Sequence, residues 1–377
     1  MRCKTTTTTS VRGRLAALMA VLALLAAACG GGAAQQGEAG VAAGGGETPQ
    51  DGETADLGTA AGDDEGDSPT FDLSGVEFTA TTSAPGALNM GTFWAFEKLQ
   101  EWGASIDLVI LTTTTGIQAL IADRSNVASH GSDEVVLGAA EGADVVAIGS
   151  PSTKMDYVLV ARKGTERVED LQGKTIAMSG PAGFDALLSR FALQDVGLDP
   201  DSDVRFVQVG GSPERATALL SGNVDAATIF LEDWEELRLQ SDELTLVQYM
   251  AELVPEFPAS VYFGKRQFWQ DNPELATALA CANLEANAWM NADKEGFVEY
   301  TLDKVEGASP EATEAIYAAA QEIDMWPSEP DEILSVEGLD GLIEAMVETG
   351  DISEPVDPDS IVDTSYLQEA HETGCGA

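Results

Sequence analysis

Residues 171–225 read LQGKTIAMSG PAGFDALLSR FALQDVGLDP DSDVRFVQVG GSPERATALL SGNVD. After Leu171, Gln172, Gly173 and Lys174 comes the apolar run Thr175 to Met178, which breaks into Ser179, Gly180, Pro181, Ala182 and Gly183 before a helical pattern from Phe184 to Leu193. This is the order of a strand, a small-residue turn and a helix start. The first backbone N–H groups of such a helix have no intrahelical partner and lie at the positive end of its dipole, so the turn suits an anionic or polar group. Gly197 and Leu198 close the helix, Val204 to Val209 supplies a second strand, and Gly210, Gly211, Ser212 and Pro213 repeat the turn into a second helix. Two polar cradles are therefore expected side by side, with Ser179, Gly180, Gly183, Phe184, Gly211 and Ser212 as candidate ligand contacts.

The second helix runs into Ala218 to Ala226 and a strand over Ala227 to Phe230. With Leu-x-Gly-Lys before a strand, Gly-Leu after a helix and Ala-Leu-x-Ser-Gly-x-Val-Asp-Ala before another strand, the chain resembles solute-binding proteins of the nitrate, sulfonate and thiamine-precursor family, which serve ABC importers. The likeness spans roughly the last three hundred residues, a length that a two-lobed protein needs. It implies an α/β fold of the periplasmic-binding-protein type II, with a ligand cleft between two lobes. It further implies a monomer that hands a small solute to a permease and ATPase complex, with an enzyme of thiamine-pyrimidine type or a surface sensor domain on the same fold as the alternatives; no catalytic residues and no cofactor are expected.

Upstream, Arg2, Lys4, Arg12 and Arg14 precede the apolar run Leu15 to Ala28, too short for a comfortable membrane span. Residues 1–28 read as a secretory signal. The run ends in Leu24, Leu25, Ala26, Ala27, Ala28 and Cys29, which resembles a bacterial lipobox with Ala26 where Leu is preferred. Cys29 is thus expected as the lipidated first residue of the mature protein; the other reading is ordinary cleavage beside an unmodified thiol. Residues 29–72 are mostly Gly, Ala, Gln, Glu and Asp without apolar periodicity, and so are expected to form a flexible acidic tether.

The first lobe is expected over 73–154 and 250–377, the second over 155–249, with crossings near Ser150 to Tyr157 and Leu246 to Glu252. Strands at Val76 to Thr82, Ile106 to Leu111, Asn126 to Ser129 and Val145 to Ile148 alternate with helices, which implies a parallel or mixed sheet. Ligands of open sheets lie at the carboxyl ends of strands. Ser83, Asn89, Thr114, Thr115, Ser129 and His130 fall there. Each hydroxyl in this group is equally suited to capping a helix, and His130 is open between ligand contact, a pH-sensitive contact and a turn residue. The resemblance adds Phe230, Glu232 and Trp234 at the carboxyl end of the strand Ala227 to Phe230. For Glu232 the other reading is an acidic first helical turn, and for Trp234 a packed core residue. If Glu232 faces the cleft, a cationic or hydrogen-bond-donating ligand gains ground over a simple sulfonate. The sequence otherwise leaves the ligand open between sulfonate, nitrate or bicarbonate on the N–H cradles and a pyrimidine-like or other aromatic solute against Phe93, Trp94, Phe230 and Trp234.

Cys3 leaves with the signal and Cys29 is the lipid site, so Cys281 and Cys375 are expected to pair in an oxidising compartment. No Cys or His cluster has metal-ligand spacing, and neither a Gly-x-Ser-x-Gly elbow nor a phosphate loop with Lys occurs. A net charge of -45, from 64 acidic against 19 basic residues, opposes nucleic-acid binding, which needs basic patches. Self-repulsion of this size is screened by salt. The melting temperature is therefore expected to rise across a salt titration, and a flat profile would contradict it.

Overall fold

The computed structural model describes residues 53–54, 69–111, 115–181 and 183–376. The signal segment, Cys29, most of the expected tether and Thr114 lie outside them. The strands are β1 Glu53–Thr54, β2 Glu77–Thr82, β3 Ser105–Ile110, β4 Val127–Gly131, β5 Val145–Ser152 and β6 Tyr157–Arg162. They continue with β7 Thr175–Met178, β8 Arg205–Gln208, β9 Ala226–Phe230, β10 Leu244–Tyr249 and β11 Ser260–Lys265. The helices are α1 Met90–Glu101, α2 Gly116–Ile121, α3 Ser132–Ala140, α4 Phe184–Asp195, α5 Ser212–Leu220, α6 Leu231–Gln240 and α7 Met250–Leu253. After these come α8 Arg266–Asp271, α9 Pro273–Ala292, α10 Lys294–Lys304, α11 Pro310–Glu322, α12 Pro330–Ile333, α13 Val336–Thr349 and α14 Ser365–Glu372.

Among the described residues the strands form two sheets, ordered β1-β3-β2-β4-β11-β5 and β10-β6-β9-β7-β8. In the first, β2 runs parallel to β3 and β4, whereas β11 is antiparallel to both β4 and β5. In the second, β7 runs parallel to β8 and β9, and β6 is antiparallel to β9 and β10. Each lobe is thus a mixed α/β layer structure whose three parallel strands end on one edge. Glu53–Thr54, inside the stretch expected as a tether, pairs antiparallel with β3 at Ile110 and Val109.

The strands bury because their residues are apolar on both faces. In β5 all eight positions are buried, and Val158, Leu159, Val160 and Ala161 of β6 are fully enclosed. β5 extends four residues past Ile148, the expected end of the strand, through Gly149, Ser150, Pro151 and Ser152 into the expected crossing. The reasons are pairing with β11 and a buried side chain: Asn283 of α9 accepts from the Ser150 amide at 2.9 Å and donates to the Ser150 carbonyl at 3.0 Å, serving as a strand partner. Gly149 makes this possible, since a Cβ there would lie 2.8 Å from Asn283 Oδ1.

The chain passes between the sheets from β5 to β6 and returns from β10 through α7 to β11. The two connections are tied to each other by Ala259 N–H donating to the Ser152 carbonyl at 2.9 Å and Lys154 Nζ donating to the Pro255 carbonyl at 3.1 Å. Farther along, α13 packs on α4 and α11 packs on α6, so helices late in the chain reach the second sheet's layer. α13 ends at Gly350 in the left-handed conformation (φ 81°), a common helix stop.

Cys281 on α9 and Cys375 after α14 form a disulfide with Cα atoms 5.2 Å apart, closing a separation of 94 residues. Loop closure of this length restricts the unfolded chain and contributes about 2–4 kcal/mol. A Cys281→Ser/Cys375→Ser double variant should therefore unfold at a clearly lower urea midpoint than the parent, and an unchanged midpoint would contradict this.

Candidate functional site

The carboxyl ends of β2 and β4 in one sheet and of β7 and β9 in the other carry the segments that meet between the lobes. On the first-lobe side the loop after β2 is self-contained. Asn89 Oδ1 accepts from the Gly86 amide at 2.8 Å, and its Nδ2 donates to Ser83 Oγ at 3.1 Å and the Ala84 carbonyl at 3.0 Å. Across the gap, Glu232 in the first turn of α6 reaches this loop. Its Oε2 lies 3.5 Å from the Leu88 amide, and a Cβ on Gly86 would fall 2.6 Å from Oε1. The lobes also approach at Gly131, where a Cβ would come within 3.9 Å of the Phe184 ring.

His130 closes β4 with its side chain only 9% exposed, Nδ1 3.9 Å from Glu134 Oε1 and Nε2 buried without a partner. Glu134 holds the N-terminus of α2, accepting from the Ile117 amide at 2.9 Å. Thr115 caps the same helix, its Oγ1 accepting from the Gln118 amide at 3.3 Å. Ser129 is buried and its hydroxyl meets Thr92 Oγ1 of α1 at 3.0 Å, which directs it into the lobe.

On the second-lobe side both cradles hold the protein's own carboxylates. The Ser179 amide donates to Asp185 Oδ2 at 2.9 Å and the Ser179 hydroxyl donates to Asp185 Oδ1. Gly183 is required for this fit, because a Cβ would meet Asp185 Oδ1 at 2.8 Å and overlap the Ser179 hydroxyl. At the second turn the Ser212 hydroxyl accepts from the Phe230 amide at 2.8 Å and donates to Asp233, while Glu214 Oε2 would stand 2.7 Å from a Cβ on Gly211. Arg215, buried beneath them, donates to the Thr228 and Gly210 carbonyls at 2.8 and 2.7 Å and lies 3.6 Å from Asp185.

Phe184 and Phe230 flank Tyr157, with ring centres 6.0 and 4.6 Å from it. Trp234 is not with them: it lines a groove of about 370 Å³ between α6 and α11 with Arg238, Tyr249 and Glu322. Phe93 is buried in the first lobe, and Trp94 stacks on Trp289 at 5.8 Å. The sequence reading did not single out Tyr157, Asp156, Asp133, Glu134, Asp185 or Arg215. Asp156 and Tyr157 sit at the crossing into β6, where the only signal was an extended run, and Asp185 and Arg215 act through pairings that spacing does not reveal.

Burial sets the protonation of the cleft. It raises the Glu232 carboxyl to about 8, with Asp233 and Asp156 adding repulsion, and raises Asp156 to about 7. It raises Glu134 to about 8, aided by Asp133, and Asp133 itself to about 6. It lowers His130 to about 4, so the imidazole is neutral near pH 7.

Two α/β lobes joined by two crossings, with a cleft at the carboxyl ends of their parallel strands, define the periplasmic-binding-protein fold. Residues 100–296, more than half of the chain, match the NMT1/THI5-like family model, and the chain belongs to that family. The fold is shared with the ligand-binding component of an ABC-type import system from Staphylococcus aureus, at TM-score 0.64 and 14% identity over 78% of this chain and 99% of that one. It is shared with the periplasmic aliphatic sulphonate binding protein SsuA from Escherichia coli, at TM-score 0.63 and 20% identity over 77% and 93%. The periplasmic nitrate-binding protein NrtA from Synechocystis PCC 6803 follows at 0.61 and 13% over 81% and 90%. Identities this low speak to fold alone. No curated protein matches the chain.

The raised carboxyl groups make folding take up protons. Their stabilisation is complete below their unfolded values of 3.8 and 4.5 and is lost as pH rises through about 6 to 8. His130 acts in the opposite sense, but only below its ordinary value of 6.5. Between pH 6.5 and 8.5 the ligand-free protein should therefore melt at progressively lower temperature, with a shallower slope in Glu232→Gln; a melting temperature that climbs over this range would contradict the assignment.

Proposed function

We propose that the chain is the extracytoplasmic solute-binding component of an ABC importer, anchored to the membrane through lipidated Cys29. It captures a small solute between lobes 73–154 with 250–377 and 155–249, and presents the closed form to a permease and ATPase complex. The observation that carries this reading is the reach of Glu232 from one lobe to the Gly86–Leu88 loop of the other, at the mouth formed by both sets of strand ends. Membership of the NMT1/THI5-like family supports it.

Binding here requires no covalent step. Closure brings hydroxyl, carboxyl, imidazole and aromatic groups from two rigid sheets onto one solute, and the hinge absorbs the backbone change. The fixed elements lose little entropy on binding, so most of the interaction energy remains for affinity.

The test is a thermal-shift panel on the full chain in detergent, covering alkanesulfonates, nitrate, bicarbonate, aminopyrimidines and amines at fixed salt and pH. A solute at one hundred times its dissociation constant should stabilise the native state by about 2.7 kcal/mol. A selective, saturable shift with the compound recovered unchanged is the expected result. Consumption of the compound would replace this reading with an enzymatic one.

A further inference from the structure

We infer that the interlobe cleft takes a compact organic cation, with an ammonium or amidinium head between the carboxyl groups of Glu232 and Asp156 and its apolar body against Tyr157, Phe184 and Phe230. This rests on the solute-receptor reading above and names the solute's chemical class.

The first support is that the side-chain donors on this side, together with the Ser179 amide, are already in use. The Ser179 amide and hydroxyl are bonded to Asp185, and the Ser212 hydroxyl is bonded to Asp233. The Arg215 guanidinium is shared between two carbonyls and Asp185. A sulfonate or nitrate entering this side would meet carboxylates where the free N–H groups of a helix start were expected.

The second is the lack of a counter-charge. Asp233, Asp156 and Glu236 repel the Glu232 carboxylate, and Asp156, Asp185 and Asp133 act in the same sense on Tyr157. Among the described residues, none of the ion pairs includes Asp133, Asp156 or Glu232. Carboxyl groups withdrawn from water without a counter-charge carry a desolvation cost, which a bound cation removes.

The third is independent of the acidic groups. His130, near the end of β4, has Nε2 buried and without a partner, in a side chain 9% exposed whose ring edge lies against Gly116 at the start of α2. A neutral imidazole here accepts a hydrogen bond from a ligand N–H. The three rings supply the remaining element, because aromatic faces attract cations and cover hydrocarbon at once.

The experiment uses pairs that share a skeleton and differ in charge: choline against 2-hydroxyethanesulfonate, and benzylamine against phenylmethanesulfonate and benzyl alcohol. Titration calorimetry on the full chain in detergent, at pH 8 and fixed salt, is expected to show saturable binding of a cationic member and none of its anionic counterpart. Glu232→Gln and Asp156→Asn, each neutral and of nearly unchanged shape, should each weaken that binding by about tenfold or more while melting stays cooperative. Binding of the anionic members alone would overturn the cation assignment and leave the receptor reading standing. Cation binding unchanged in both variants would overturn the placement of the head group. Silence of every member, with cooperative melting retained, would count against both readings.

Discussion

The chain crosses between its two sheets after Ser152 and again before Ser260, and the geometry of the cleft follows from how those crossings are held. They are hydrogen-bonded to each other, so the hinge is a paired connection and not two independent linkers. Asp156 belongs to this connection, and its carbonyl accepts from the Leu231 amide at 2.7 Å, which fixes the start of α6 and with it the position of Glu232. The group that spans the cleft is therefore positioned by the hinge itself.

Polarity inside the cleft is set by the same arrangement. Strand ends and helix starts expose N–H groups that attract negative charge, and here the chain supplies that charge from Asp185, Asp233 and Glu134. What remains unmatched is acidic and aromatic. A scaffold with the same fold as anion-binding relatives can thus present the opposite preference, because fold and the chemistry of the site are separable.

Much of the architecture was legible in the sequence. Alternating apolar runs and Gly- or Pro-containing turns located the strands and helices to within a few residues, since these follow from local periodicity. The end of β5 was not legible, because its last residues are held extended by pairing with β11 and by Asn283, both far away in sequence. The site was read less well for the same reason. Ser129 and Trp234 stand at the expected strand ends, but one hydroxyl bonds Thr92 and the other ring packs towards α11, and no spacing rule distinguishes these outcomes from ligand contact. The two turns were recognised as cradles; that a carboxylate two residues into α4 would fill the first depends on a side-chain rotamer that the sequence does not state.

The Cys281–Cys375 bond encloses more than a tail. Between its two ends lie α10 to α14, including α11 and α13, the helices that pack against the second sheet's α6 and α4. The surface that packs against α4 and α6 is accordingly part of a covalent ring anchored on α9. Reduction would loosen that surface together with the tail, and with it the packing of α11 and α13 on the second sheet's helices.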